Sequence, residues 1–249
     1  MKTRAIYVQG CARSGNTLMR ELCVAAFENA DLVKISEKSA ECDLQHLIDS
    51  LESGDGRLLV ASRNRTTSVY MDLEQLRSHP EIAVVWMLRN PLDVLTSKRR
   101  KAKNFYVHPY RFTASLNLYN QFRDEPQVLA VRYEDLVARP SEVQRQITER
   151  FDLQVSRPFA DCHEHFPGFR QNLEALKSIR PIDAKSVEKW KTNPEYAAYL
   201  AEVLRTNQEL PTLARLCGGY EISRETLLQF SKGSANPLRK LQLVFGKRG

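Results

Sequence analysis

The feature that most constrains the fold of this chain is the run Ile82–Leu88, in which all seven residues are apolar. A strand with one exposed face alternates apolar and polar residues, so a run like this is typical of a strand covered on both faces. Shorter strand-like runs occur at Ala5–Val8, Leu32–Ile35, Arg57–Ala61 and Val128–Tyr133. Because helical patterns separate these runs, the sequence predicts an α/β fold with a parallel sheet.

The helical patterns between and after these strands define the organisation of the chain. They cover Thr17–Ala30, Cys42–Leu51, Ser68–Arg77, Leu92–Lys103 and Pro109–Arg123, and the pattern after Pro140 is helical without a convincing strand. A chain of 249 residues suits one large domain. We predict an α/β core at 1–155, a helical part at 156–230 and a basic tail at 231–249.

The overall charge and the cysteines restrict the partners and the compartment. The net charge of +7 favours anionic partners. Residues 232–249 contribute five Lys or Arg and no acid, which fits either a solvated end or a contact with an acidic surface or another subunit. Five scattered cysteines without a CxxC pair argue against a disulfide framework or a zinc site. With no long apolar run, we expect a soluble cytoplasmic protein without a transmembrane segment.

A first candidate phosphate site follows the first predicted strand, at Gly10–Thr17. Its spacing equals that of the nucleotide P-loop G-x4-G-K-[ST], except that Asn16 replaces the lysine. Arg13, inside the loop, supplies a cation with a planar fork suited to phosphate or sulfate oxygens. A tight turn in which Ser14 or Thr17 caps the helix is the alternative. The residues predicted to hold phosphate are Cys11, Ala12, Arg13, Ser14, Gly15, Asn16, Thr17 and Leu18.

A second candidate phosphate site begins where the predicted strand Ile82–Leu88 ends. Asn90 is a favourable N-cap and Pro91 a favourable first residue of the next helix. Arg89 is then expected at the carboxyl edge of the sheet, and Ser97 about two turns into the helix, facing that edge. The pair is predicted to bind a second phosphate. The alternative is a local ion pair for Arg89 and a surface position for Ser97.

The two stretches together resemble the sulfotransferases that use 3′-phosphoadenosine 5′-phosphosulfate (PAPS). The 5′-phosphosulfate loop of that family, R/K-S-G-T-T/S, is here Arg13–Thr17, and its 3′-phosphate motif, R-[DN]-P…S, is here Arg89–Pro91 with Ser97. The segment Val131–Pro140 resembles the Y-E-D-L segment of the family, whose tyrosine, here Tyr133, lies near the adenine. Ser186–Lys191 resembles the late segment that closes over the nucleotide.

This resemblance implies a P-loop, nucleotide-kinase-like fold with a mainly five-stranded parallel sheet. It also implies PAPS as co-substrate, PAP as product and no metal. In the family a Glu after the second strand, or else a His, removes the acceptor proton; Glu37 and His108 are the corresponding candidates, with His163 and His165 less apt. Arg63 or Arg65 is a candidate for contacting the sulfonate. The acceptor, a hydroxyl or amine compound such as a carbohydrate, a lipid-linked sugar or a small alcohol, stays open, as does the oligomeric state.

Two other classes of protein share some of these sequence features. A P-loop kinase or NTPase would share the fold, but it needs a lysine at position 16 and a metal-binding acid at a strand end, and neither is evident. A nucleic-acid-binding protein could use the basic tail and Lys98–Lys103. It would not need Arg89 and Ser97 at their spacing, and no RNA-binding aromatic signature is present.

Overall fold

The computed structural model describes residues 2–33, 44–54, 56–62, 73–98, 104–165 and 182–231. The chain forms two compact units. The first contains Met1–Leu88 and Tyr119–Ala184, and the second contains Arg89–Leu118 and Lys185–Gly249. The division at residues 155 and 230, made from the sequence by expected role, stays a prediction.

The first unit is built on a sheet of five strands that all pair in parallel. The strand order is β2-β3-β1-β4-β5. In chain order the strands are β1 Ala5–Gly10, β2 Ala30–Leu32, β3 Leu58–Ser62, β4 Ile82–Leu88 and β5 Val128–Arg132. This sheet confirms the predicted α/β class with five parallel strands. Strand β4, the apolar run, pairs on both sides and is buried along its whole length.

The α-helices of the described residues belong to both units. They are α1 Asn16–Ala26, α2 Leu44–Glu52, α3 Leu73–Ser78, α4 Pro91–Leu95, α5 Pro109–Phe122, α6 Tyr133–Ala138, α7 Pro140–Phe151, α8 Pro194–Thr206, α9 Leu210–Gly218 and α10 Arg224–Ser231. Two 3₁₀ helices occupy Phe159–His165 and Lys189–Thr192. No helix in this described part of the chain is both long and apolar enough to cross a bilayer.

The register of the sheet decides which loops share its carboxyl edge. Gly10, the last residue of β1, lies opposite Met87 of β4, and Leu88 lies opposite Arg132 of β5. The segments that follow β1 and β5 therefore leave the sheet at the same edge. Ligands of open α/β sheets bind at this edge. In the core beside β4, the rings of Trp86 and Tyr119 pack with their centroids 5.4 Å apart.

Helix α1 is shorter than the predicted helix Thr17–Ala30, because it ends at Ala26. Phe27 has an extended backbone and forms an antiparallel bridge with Val155. Its ring lies edge-on to that of Phe159, with the ring centroids 5.9 Å apart. A long-range contact therefore stops a helix whose local sequence would continue. Strand β2 begins at Ala30, two residues before the predicted start, where it pairs with β3.

The predicted helix Leu92–Lys103 is right over Leu92–Leu95 but too long, since α4 ends at Leu95. Thr96 is the C-cap, and its hydroxyl donates to the Leu92 carbonyl at 2.6 Å. Lys98 then forms an antiparallel bridge with Phe105. Ser97 consequently lies beyond the end of the helix rather than two turns inside it. Residues 99–103 lie outside the described residues.

Candidate functional site

The first predicted phosphate loop begins with a glycine that no other residue can replace without movement. Gly10 has φ of 151°, a region that favours glycine. A Cβ at this position would lie 2.5 Å from the carbonyl oxygen of Met87 and 2.8 Å from Oδ1 of Asn16. The backbone of β1 therefore turns into the loop directly against β4 and against the side chain of Asn16.

Asn16, which stands where a P-loop has its lysine, braces the loop from inside. Its side chain is 2 % exposed, and Nδ2 donates to the carbonyl oxygen of Gly10 at 2.9 Å and to that of Cys11 at 3.4 Å. A lysine at this position would carry its charge outward to a triphosphate, whereas this amide is directed to the loop's own backbone. The structure therefore gives Asn16 a supporting position.

The remainder of the loop presents a tight turn and the start of helix α1. The N–H of Ser14 donates to the carbonyl of Cys11 at 3.1 Å, and Ser14 is almost fully buried. The N-cap of α1 is Gly15, with φ of 102°, so the cap is not the Ser14 or Thr17 side chain of the alternative interpretation. An eleven-residue helix that starts at a glycine-containing turn directs N–H groups and the positive end of its dipole at the loop.

Arg13 is the exposed cation of this loop and its strained residue. Its φ of 75° lies in the left-handed region, which is uncommon for a residue with a side chain. Such conformations cost about 1–3 kcal/mol and concentrate at functional sites. The structure thus places the predicted cation on an unusual backbone at the turn, next to buried Ala12 and Ser14.

Tyr133 brings a second predicted site residue to the same loop. It is the first residue of α6, directly after β5, and it is 9 % exposed. A Cβ on Gly15 would lie 2.6 Å from Cδ2 of the Tyr133 ring, so the ring packs on the glycine. The structure therefore places Tyr133 beside the start of α1.

A buried ion pair in α1, which the sequence analysis did not identify, supports this edge of the sheet. Nη2 of Arg20 lies 2.7 Å from Oε1 of Glu21, and both side chains are 1 % exposed. Nη1 of Arg20 also donates to the hydroxyl of Ser62 at 2.9 Å. Removing one partner of such a pair would leave a buried charge. The pair thus ties α1 to the end of β3, and the sequence does not reveal it because Arg and Glu are ordinary on helix surfaces.

In the second unit, Arg89 and the helix that follows it have the predicted caps. Oδ1 of Asn90 accepts from the N–H of Leu92 at 2.9 Å, and Pro91 is the first helical residue. Both features were predicted. Nη2 of Arg89 donates to the carbonyl oxygen of Ser186 at 2.5 Å. Arg89 is therefore held to the predicted covering segment Ser186–Lys191.

Asp93, in the first turn of α4, is a functional candidate that the sequence analysis did not identify as a site residue. Its side chain is 3 % exposed; Oδ2 accepts from the N–H of Glu188 at 2.7 Å, and Oδ1 accepts from that of Trp190 at 3.4 Å. Burial raises the pKa of Asp93, while the charge of Arg89 and the backbone N–H groups act in the opposite direction. Nothing in the sequence distinguishes this aspartate from an exposed one in a first helical turn.

Ser97 is fixed through its backbone in a short paired segment. Its N–H donates to the carbonyl of Val94 at 3.1 Å, and its carbonyl accepts from the N–H of Tyr106 at 2.8 Å. Next to it, Nζ of Lys98 lies 5.0 Å from the centre of the Phe105 ring and 5.4 Å from that of Tyr196. Cation–π contacts of this kind stabilise a segment modestly.

The remaining predicted residues divide into described and undescribed ones. His108 is exposed just before α5, where its carbonyl accepts from the N–H groups of Arg111 and Phe112 and its ring lies 6.5 Å from that of Tyr110. His163 and His165 lie in the 3₁₀ helix Phe159–His165 of the first unit. Glu37, Arg63, Arg65 and residues 232–249 of the basic tail lie outside the described residues, so the predictions for them stay predictions.

The comparisons with known proteins agree with the family that the motifs resemble. Residues 63–157 match the Sulfotransferase family. No curated protein matches the sequence closely enough to count as a relative. The sulfotransferase domain of the Synechococcus PCC 7002 olefin synthase is similar in structure, with a TM-score of 0.56 and 16 % identity over 77 % of this chain and 89 % of that chain.

Two other solved structures share the fold at comparable similarity. The sulfotransferase domain from the curacin biosynthetic pathway has a TM-score of 0.52 and 16 % identity, covering 84 % of this chain and 98 % of that chain. Mouse sulfotransferase SULT7A1, solved in complex with PAP, has a TM-score of 0.54 and 10 % identity, covering 92 % and 90 %. At these identities the likeness shows the fold. The family match, at residues 63–157, covers less than half of the chain, and with the shared fold it supports the resemblance that the motifs carry.

Proposed function

We propose that the chain transfers the sulfuryl group of PAPS to a hydroxyl or amine acceptor and releases PAP. The observation that carries the proposal is the loop Gly10–Thr17, which has P-loop spacing but turns Asn16 inward onto its own carbonyls and presents Arg13 outward. Such a loop suits an anion without the metal–triphosphate chemistry of a P-loop lysine. The mouse sulfotransferase of the same fold was solved with PAP, which supports this class of nucleotide.

The loop would hold the 5′ end of the nucleotide. Backbone N–H groups of Cys11–Leu18 and the positive end of α1 would bind the 5′-phosphate and its sulfate. In the transfer, the bond between sulfur and the bridging phosphate oxygen breaks while a bond from the acceptor oxygen or nitrogen to sulfur forms in line with it. Negative charge grows on the bridging oxygen, and Arg13 would stabilise it.

Arg89 and Ser97 would bind the 3′-phosphate, and Tyr133 would contact the adenine. A guanidinium provides a planar fork of N–H donors that matches phosphate oxygens. The bond from Arg89 to Ser186 supports a joint role of Arg89 with the covering segment Ser186–Lys191. We expect PAP binding to need no divalent metal, since Asn16 replaces the residue that accompanies metal–triphosphate binding.

A base must accept the proton that the acceptor loses. We propose Glu37, which follows the second predicted strand, with His108 as the alternative. A carboxylate or a neutral imidazole can each take a proton from a hydroxyl within hydrogen-bond reach. Arg63 or Arg65 would contact the transferred sulfonate. The acceptor stays open among carbohydrates, lipid-linked sugars and small alcohols or amines. The described cysteines have free thiols, which is typical of proteins of the reducing cytoplasm.

The test is a transfer assay with PAPS labelled in its sulfate, screened against hydroxylated and aminated acceptors. We expect label in one acceptor class and an equal amount of PAP, with activity retained in a chelating buffer. The variant Arg13→Ala should still bind PAP but transfer the sulfuryl group far more slowly than the wild type, because it lacks the cation that stabilises the bridging oxygen. Transfer of the γ-phosphate of ATP to an acceptor, with no consumption of PAPS, would instead identify a kinase.

A further inference from the structure

Asp93 holds a segment that lies far from it in sequence. Its carboxylate accepts from the backbone N–H groups of Glu188 and Trp190, at 2.7 and 3.4 Å. The N–H of Lys189 also acts on the carboxylate and stabilises its charged form. A nearly buried carboxylate that accepts from backbone N–H groups orients those groups strongly, since such charge-assisted bonds are about twice as strong as neutral ones.

Arg89, which lies two residues before the short helix α4, binds the same segment. Its Nη2 donates to the carbonyl of Ser186, two residues before the first N–H that Asp93 accepts. The anion and the cation at the start of α4 therefore bind opposite polar groups of one backbone stretch. One of the five donors of the guanidinium is used for this bond, which sets the direction of the whole planar group.

The segment Ser186–Trp190 depends on contacts with other residues because its backbone is strained at Glu188. Glu188 has φ of 55°, in the left-handed region, although it carries a side chain. The Glu188 side chain itself is exposed and pairs with Lys191 at 2.6 Å. The N–H bond to buried Asp93 stabilises this conformation, together with the hydrogen bond from the N–H of Lys191 to the Glu188 carbonyl at 3.0 Å.

We propose that Asp93 is a positioning residue for recognition of the nucleotide 3′-phosphate, because it holds Ser186–Trp190 in the register that orients Arg89. This inference rests on the proposed function, in which Arg89 binds that phosphate. Asp93 does not itself touch the ligand. Its loss should weaken binding of nucleotides that carry a 3′-phosphate and leave binding of those without one unchanged.

The experiment compares affinities for PAP and for adenosine 5′-monophosphate (AMP), which lacks the 3′-phosphate. For the wild-type protein we expect PAP to bind more tightly than AMP. Asp93→Asn, which keeps the shape but loses the charge, should lower PAP affinity about tenfold and leave AMP affinity unchanged. Adding Glu188→Gly to that variant should restore part of the loss, because glycine adopts the left-handed backbone without an external hold.

A second single variant keeps the test sound if Asp93→Asn folds poorly. Glu188→Val changes an exposed side chain but makes the left-handed backbone harder to adopt, so it should also reduce the preference for PAP over AMP. If the wild type itself does not prefer PAP, the proposed function fails. If the wild type prefers PAP and Arg89→Ala loses that preference, while Asp93→Asn and Glu188→Val keep it, the positioning role of Asp93 is wrong.

Discussion

The ring of Tyr133 lies against Gly15 so closely that a Cβ on the glycine would be 2.6 Å from the ring carbon Cδ2. Tyr133 follows β5, and Gly15 ends the loop that follows β1, so one contact links the ends of two strands at the carboxyl edge of the sheet. The loop keeps its shape because a glycine with φ of 102° accepts both the backbone turn and the ring.

Gly15→Ala should destabilise the loop and weaken PAP binding. The new methyl group would meet the Tyr133 ring and force a left-handed backbone on alanine, at a cost of about 1–3 kcal/mol. Gly56→Ala is the matched control, because Gly56 has φ of 83° but nothing within 4 Å of its Cβ position. We expect the control to lose about 1 kcal/mol of unfolding free energy and to bind PAP normally by calorimetry. Equal PAP affinities for the two variants would contradict the role of the contact.

Replacing Asn16 with a charged residue, either aspartate or the lysine of a P-loop, should impair the protein. Asn16→Asp replaces the amide donor with an oxygen facing the carbonyls of Gly10 and Cys11, so we expect a loss of about 2–4 kcal/mol in unfolding free energy. Asn16→Ala only removes the bonds and should cost about 1–2 kcal/mol. Asn16→Lys should weaken PAP binding without creating ATP–Mg²⁺ binding. Urea unfolding and nucleotide titration measure these effects, and tight ATP–Mg²⁺ binding by Asn16→Lys would refute the bracing role.

Turnover at saturating PAPS shows whether Glu37 or His108 accepts the proton of the acceptor. If Glu37 accepts the proton, Glu37→Ala should lower turnover about 10²- to 10⁴-fold with little change in PAP affinity. His108→Ala should keep most of its turnover, because the structure gives the backbone of His108 a role at the start of α5 that alanine retains. The opposite result, a large loss in His108→Ala alone, would transfer the role to His108.

The raised pKa of Asp93 predicts a pH dependence of stability. Burial makes the folded state hold the Asp93 proton more tightly than the unfolded chain does. The contribution of Asp93 to the free energy of unfolding is then present below the ordinary pKa of an aspartate and is lost as pH rises through the raised value. Asp93→Asn does not titrate. In urea unfolding from about pH 4 to pH 7, the stability of the wild type relative to Asp93→Asn should fall; a rise would mean a lowered pKa.

The parts of the fold that local sequence determines were predicted correctly. Strand β4 has its predicted bounds because an apolar run of seven residues has no stable place except the interior of the sheet. The cap at Asn90 and Pro91 was also predicted, since capping depends on adjacent residues. The predicted ends of α1 and α4 were wrong, because Phe27 pairs with the distant Val155 and Lys98 with Phe105, and a helical pattern shows neither pairing.

The candidate site shows the same division. The loop Gly10–Thr17 is recognisable from spacing, because glycine positions and a following helix are local features. The hydrogen bonds of Asn16 to the loop and of Asp93 to Glu188 form only because these side chains are buried. A buried polar side chain cannot be told from an exposed one in the sequence. Asp93 and Glu188 are 95 residues apart, so their hydrogen bond becomes evident only in the folded chain.

The central claim, that this loop serves a PAPS-type nucleotide, is tested most directly by calorimetric titration of the wild-type protein with PAP and with ATP–Mg²⁺. We expect PAP to bind more tightly than ATP–Mg²⁺, with an affinity that is unchanged when a chelator replaces the metal. Tighter binding of ATP–Mg²⁺, or no measurable binding of PAP, would contradict it.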